Sequence, residues 1–236
     1  MIAFSRRWHR RIMLFTGLQF LLWTASGLYM VITDIHFIHG ETLVTQQRPA
    51  IDWQKVSFST NSLLSDYPDA IKVSLGMLAD EPVYRFKDAA NENRWRMVNA
   101  VNGELLPALS KTQAETVASS SLKNSMAIHN TVLFTTAGPD EVSPRHLPYW
   151  QVTFEGWTSP TLYVSAATGE VVTVRHNFWR TFDWMWRLHI MDWDDGADVG
   201  NIFLLLFAFS GLFAALVGAH LTVFHYKRPV KKWIKR

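Results

Sequence analysis

The chain has 236 residues, no cysteine, 11 Trp and 15 Phe. Without cysteine it has no disulfide, thiolate metal site, cysteine nucleophile or covalent CxxCH haem attachment. Its net charge of +3 is unevenly placed: Arg6, Arg7, Arg10 and Arg11 at the start and Lys227, Arg228, Lys231, Lys232, Lys235 and Arg236 at the end hold +10, leaving −7 for the rest. The basic residues therefore flank apolar runs and form no basic globular face, which argues against nucleic-acid binding.

After a basic tail, residues 1–11, the run Ile12 to Ile32 carries no charge until Asp34. At about 1.5 Å per residue it crosses the roughly 30 Å hydrocarbon layer, and residues 12–35 are expected to be a first transmembrane helix. Its length and the lack of a small-residue cleavage site argue against a removed signal peptide. Ile202 to Phe224 is a second run free of Asp, Glu, Lys and Arg, giving a second span over 200–225 before the basic tail 226–236. Both basic flanks put both termini in the cytoplasm and residues 36–177 outside, in the periplasm of a bacterial inner membrane. Residues 178–199, beginning Phe178-Trp179-Arg180-Thr181-Phe182-Asp183-Trp184, read as an amphipathic segment in the interface followed by an acidic loop.

The outer domain contains a repeat at an offset of 66 residues: Val98-Asn99-Ala100-Val101-Asn102-Gly103-Glu104 matches Val164-Ser165-Ala166-Ala167-Thr168-Gly169-Glu170, and Pro82 matches Pro148. Asn-Gly and Thr-Gly after alternating apolar residues are turn signals, with Gly103 and Gly169 supplying positive φ. A short helix is expected over Thr60–Tyr67 and a longer one over Lys111 to Ile128, with Thr112 and Glu115 as a capping box. The units, about 55–108 and 111–177, each read as a helix followed by antiparallel strands, an α+β arrangement with helices on one sheet face.

The pattern Pro82-Val83-Tyr84-Arg85-Phe86 … Val98-Asn99-Ala100-Val101-Asn102-Gly103-Glu104, repeated as Tyr149-Trp150-Gln151-Val152-Thr153-Phe154 … Thr168-Gly169-Glu170, resembles the PepSY module. Arg7-Trp8-His9-Arg10-Arg11 … Gly17 … Ser26-Gly27, and again Arg187-Leu188-His189 … Gly200 … Ser210-Gly211, resembles the PepSY-associated transmembrane family, in its small two-span, VciB-type form. The resemblance covers nearly the whole chain. It implies a periplasm-facing, haem-containing reductase of ferric iron, serving iron acquisition.

Six of the nine histidines sit at or near span ends: His9, His220 and His225 at the inner side, His36, His39 and His189 at the outer side. Bis-histidine ligation suits non-covalent haem b in electron transfer. The expected ligands are His9, His36, His189 and His220, with His39 and His225 as second choices. His220 lies inside an apolar run, where an ionisable group is costly and usually functional, though it also fits a histidine hydrogen-bonded across the bundle. Two spans make a poor haem pocket and a dimer would supply a four-helix membrane bundle, so a homodimer is expected.

Outside, His129, His146 and His176 join Asp140, Glu141, Asp192, Asp194, Asp195 and Asp198. Oxygen-rich ligands suit ferric iron as substrate, with Asp192, Asp194, Asp195 and His129 as its expected site, though a solvated acidic loop fits as well. No Walker loop, HExxH, GxSxG or dinucleotide fingerprint is present. The electron would then come from a partner, a cytoplasmic flavin reductase or the quinol pool, and a separate transporter would take up ferrous iron. The competing readings are a non-enzymatic PepSY module that binds or inhibits a protein partner, and a haem subunit of another respiratory complex.

Overall fold

A computed structural model describes residues 2–45, 49–90, 94–194 and 196–226, with no side chains described for 2–5 and 224–226. The chain is α+β and divides into two compact units, one holding the two long helices and the other spanning Asp34–Arg180.

In the first unit α1 is Ile2–Ile32. The helix thus starts ahead of the apolar run and includes the four N-terminal arginines. Its hydroxyl residues turn inward on its own backbone: Thr16, Thr24, Ser26 and Thr33 donate to the carbonyls of Ile12, Phe20, Leu22 and Tyr29. That satisfies these polar side chains within the helix itself. The second long helix is Ile202–Tyr226, capped by Asn201, whose Oδ1 accepts from the Leu204 N–H. Arg6–Ile32 and Ile202–Val223 are each long and apolar enough to cross a membrane. They pack together, with Phe15 and Phe207 stacked at 5.2 Å between ring centres. Among the described residues the buried ones of this pair are small, Thr16, Ser26 and Ala214, which lets the helices approach closely.

The second unit begins with a single turn, α2, at Ile35–Ile38, capped by Asp34. Then the same block occurs twice. Helix α3 (Thr60–Asp66) precedes β1 (Ala70–Leu78), β2 (Glu81–Asp88), β3 (Arg94–Asn99) and β4 (Leu105–Leu106). Helix α4 (Lys111–Ser121) precedes β5 (Ile128–Phe134), β6 (Tyr149–Phe154), β7 (Thr161–Ser165) and β8 (Val171–Arg175). Each sheet is antiparallel with strands in chain order. The repeat extends to single hydrogen bonds: Ala100 N–H donates to Pro82 O and Ala166 N–H to Pro148 O; Gly103 donates to Asn99 O and Gly169 to Ser165 O; Asn99 donates to Glu104 O and Ser165 to Glu170 O. Gly103 (φ 77°) and Gly169 (φ 67°) occupy the left-handed region these turns need.

Two expectations about α4 are corrected. Its capping box is formed by Ser110 and Gln113, two residues earlier than Thr112 and Glu115. It also ends at Ser121, seven residues before Ile128, because Leu122 leaves the helix to bridge Val44. Ala114, Ala118 and Leu122 pack on Val152, Phe154, Leu162 and Val164 of the second sheet. In the first repeat Leu63 of α3 covers Tyr84, Phe86 and Val98. Arg85, 5 % exposed, joins the repeats: its Nε donates to Thr168 O in the second repeat's turn at 2.6 Å and its Nη2 to Met77 O at 2.8 Å. After β8 comes α5 (Asn177–Ile190), and Ile202–Tyr226 is α6.

Candidate functional site

The first unit gathers two of the expected histidines against helix backbone, at separate levels. His9 of α1 lies on α6 at Gly218: a Cβ built there would come within 3.2 Å of His9 Cε1. The missing side chain is what makes room for the ring. His9 Nδ1 is buried and has no hydrogen-bond partner. A buried polar atom left unpaired costs about 1–3 kcal/mol, so its position points to a ligand or partner group.

His189, near the end of α5, lies on α1 in the same manner. A Cβ at Gly27 would be 3.3 Å from its Cε1. Its Nδ1 is 3.0 Å from Ser26 Oγ, and the Trp23 ring is tilted beside it, 6.3 Å between centres. One heptad earlier on α5, Phe182 meets Tyr29, so the C-terminal part of α5 runs alongside α1 in the opposite direction. Trp23 Nε1 and Tyr29 Oη are buried and without partners. Three of the orphaned polar atoms among the described residues thus belong to this unit, all on α1. From residue 9 to residue 27 is about 27 Å of helix, close to the thickness of a hydrocarbon layer.

These features suit haem. A buried imidazole nitrogen without a partner, histidine rings lying against helix backbone at glycines, and buried N–H and O–H donors for carboxylates are features that a non-covalent tetrapyrrole would use. Residues at each level would hold it: His9 with Gly218, and His189 with Gly27, Trp23 and Tyr29.

The remaining expected ligands stand elsewhere. His220 is on an exposed side of α6, two residues and so about 200° around the helix from Gly218. The His225 side chain lies outside the described residues. His36 and His39 belong to the second unit, on and just after α2, and both face Glu41: His36 Nδ1 donates to its carboxylate at 2.8 Å, and His39 Nδ1 is 3.9 Å from it. The hydrogen bond to Glu41, then the charges of Glu41 and Asp34, raise the His36 pKa above its ordinary value.

The expected iron residues fall partly in each unit and partly outside the described residues. Asp192 spends its two oxygens on the loop, accepting from the Asp194 and Asp198 N–H groups. Asp195 lies outside the described residues. His129 is on β5 in the other unit. Among the described residues no three His, Asp or Glu side chains converge to hold a metal ion. His176, grouped with the iron candidates by sequence, is fully buried, with Nε2 donating to Phe37 O at 2.8 Å and Nδ1 accepting from Trp179 N–H. Glu141, grouped there too, takes a bidentate contact from Arg180 at 2.8 Å and the Tyr163 hydroxyl. Burial, and then the Glu141 hydrogen bond and charge, push the Tyr163 pKa far above its ordinary value.

The second unit also holds a 310 Å³ cleft where the repeats meet, lined by Leu78, Val83, Leu106, Leu109 and Val117, with Thr116 and Gln113 at its polar side. Sequence reasoning found the histidines from their positions at span ends. It missed Trp23 and Tyr29, which offered only the generic signal of aromatics near an interface. Comparison with protein families, with curated proteins and with solved structures gave no match.

Proposed function

We propose that this protein is a membrane-embedded b-type haem protein of the PepSY-associated kind, which moves electrons outward and reduces ferric to ferrous iron. The observation that carries the reading is His9, with a buried, unpartnered ring nitrogen lying on a glycine of the opposing helix. His189 on Gly27 repeats the arrangement at a second level. Bound haem supplies reversible one-electron transfer at its iron.

The chain's own residues then have defined tasks. His9 and His189 would each offer a ring nitrogen to the haem iron. Gly218 and Gly27 let the two rings lie against helix backbone, and Trp23 and Tyr29 would offer donors for propionate oxygens. The apolar helices exclude water, which lowers the local dielectric and makes each hydrogen bond there count for more. A further ring nitrogen would come from a partner chain: His220 on the exposed side of α6 fits a homodimer that makes a four-helix bundle. The orientation proposed puts the second unit in the periplasm of an inner membrane and both termini in the cytoplasm. Electrons would enter from a cytoplasmic or quinol donor, and a separate transporter would take up the ferrous product.

A reduced-minus-oxidised spectrum of detergent-solubilised protein, expressed with ample haem, tests this. Wild type is expected to show a b-type spectrum, and His9→Ala and His189→Ala to lose it in part; His36→Ala and His220→Ala report on the other two candidates. Ferrous iron trapped by ferrozine outside whole cells then separates an iron reductase from a haem subunit of another complex. A colourless wild-type protein sinks the proposal and favours the second reading, a membrane-anchored binding module, for which the cleft between the repeats is the supporting feature.

A further inference from the structure

We infer that Ser26 is the positioning residue for His189: it fixes the ring as the Nδ1–H tautomer and leaves the lone pair on Nε2. The functional consequence rests on reading His189 as an axial ligand; the tautomer itself does not.

The argument is one of donors and acceptors. Ser26 is 2 % exposed. Its hydroxyl has one hydrogen, and two carbonyls face it, Leu22 O at 2.7 Å and Trp23 O at 3.2 Å. Carbonyl oxygens only accept, so the hydrogen is spent on the helix's own backbone. What Oγ has left for His189 Nδ1, 3.0 Å away, is a lone pair. The contact is a hydrogen bond only if Nδ1 carries the proton and donates. A neutral imidazole has one N–H, so Nε2 is then the bare nitrogen. Gly27 and Trp23 hold the ring on this spot: the first lets it lie against the helix, and the second flanks it.

This is the arrangement in which a ligating histidine is fixed by the bond its other nitrogen makes. A donated Nδ1–H also makes Nε2 more basic, which favours ferric over ferrous iron and lowers the reduction potential at that level. The same dipeptide recurs on α6 as Ser210-Gly211, where the Ser210 hydroxyl donates to Phe207 O and no atom lies near the glycine. Ser210 is thus a size-matched control.

The test uses the full-length chain with 15N-labelled histidine in detergent at alkaline pH, before haem is added, with His189 assigned through His189→Gln. Nitrogen chemical shifts report which ring nitrogen is protonated. Wild type and Ser210→Ala are expected to show His189 as Nδ1–H, and Ser26→Ala to release it toward the other tautomer. After haem loading, Ser26→Ala is expected to bind about 10–100-fold more weakly at this level and to have a raised midpoint potential, while Ser26→Thr, which keeps the hydroxyl, restores both. An Nε2–H ring in the wild type overturns the inference, and so does a tautomer unchanged in Ser26→Ala. If the wild type takes up no haem, the ligand reading fails while the haem-free spectrum still decides the role of Ser26.

Discussion

His176 and His36 are both titratable on the second unit, and their surroundings set opposite responses to pH. His176 is enclosed by Phe37, Phe178 and the start of α5, with Arg175 and Arg180 nearby. Burial, chiefly, lowers its pKa; the bond to Phe37 O opposes this and Arg180 adds to it. A folded pKa below the unfolded value means the unfolded chain binds the extra proton first. The contribution of His176 is therefore complete above about pH 6.5 and is lost as pH falls from there. His36, raised by Glu41, works the other way and favours the folded state at low pH. Thermal unfolding followed by near-UV circular dichroism should show His176→Gln, which keeps a donor for Phe37 O but does not titrate, losing less stability than wild type between pH 7.5 and 5.5. An equal loss in both would show that His176 does not sense pH. In sequence this histidine was one of three in the outer domain, and nothing in its neighbours announced that both nitrogens would be spent on backbone groups; one of them, Phe37 O, is 139 residues away.

At the scale of elements, the turns were readable and the ends of helices were not. Asn102-Gly103 and Thr168-Gly169 specify their own geometry, because a positive φ is a local demand that glycine alone meets without strain. The end of α4 has no such mark. It is imposed from far along the chain: Leu122 bridges Val44, Thr45 N–H donates to Ser121 O and Lys123 N–H to Leu43 O. A strand-like partner nearly 80 residues earlier competes with the helix and wins. The loop between β5 and β6 is likewise held by a distant contact. Glu141 there takes Arg180 and the Tyr163 hydroxyl together, with its side chain only 13 % exposed. Glu141→Gln keeps the shape and removes the charge, which leaves Arg180 partly buried without its counter-ion. The expected cost is about 3 kcal/mol, read as a shift in the denaturant midpoint with an unchanged slope; a loss under about 0.5 kcal/mol would mean that the pair is a solvated one.

For the whole molecule, the sequence made the two membrane-length helices plain, since apolar length is a property of composition. It did not tell which side of each helix meets the other. Both helices are apolar nearly all round, so no polar face fixes their rotation, and the pairing among His9, His220 and His225 at the inner side stayed open. Small residues mark where a neighbouring helix brings a side chain in, at Gly218 for His9 of α1 and at Gly27 for His189 of α5. Two glycines, two histidines and about 27 Å between them make the levels separable by mutation. Gly218→Val should displace His9 and Gly27→Val should displace His189, each lowering haem per chain by about half. Gly211→Val, where nothing lies within 4 Å of an added Cβ, should leave haem unchanged and serves as the measure of what a valine alone does to α6. Haem per chain by pyridine haemochrome decides it. If Gly218→Val and Gly27→Val each abolish all the haem while Gly211→Val abolishes none, the histidines serve one site and the two levels are not independent. Equal retention in all three would mean that neither glycine is there to admit a ring.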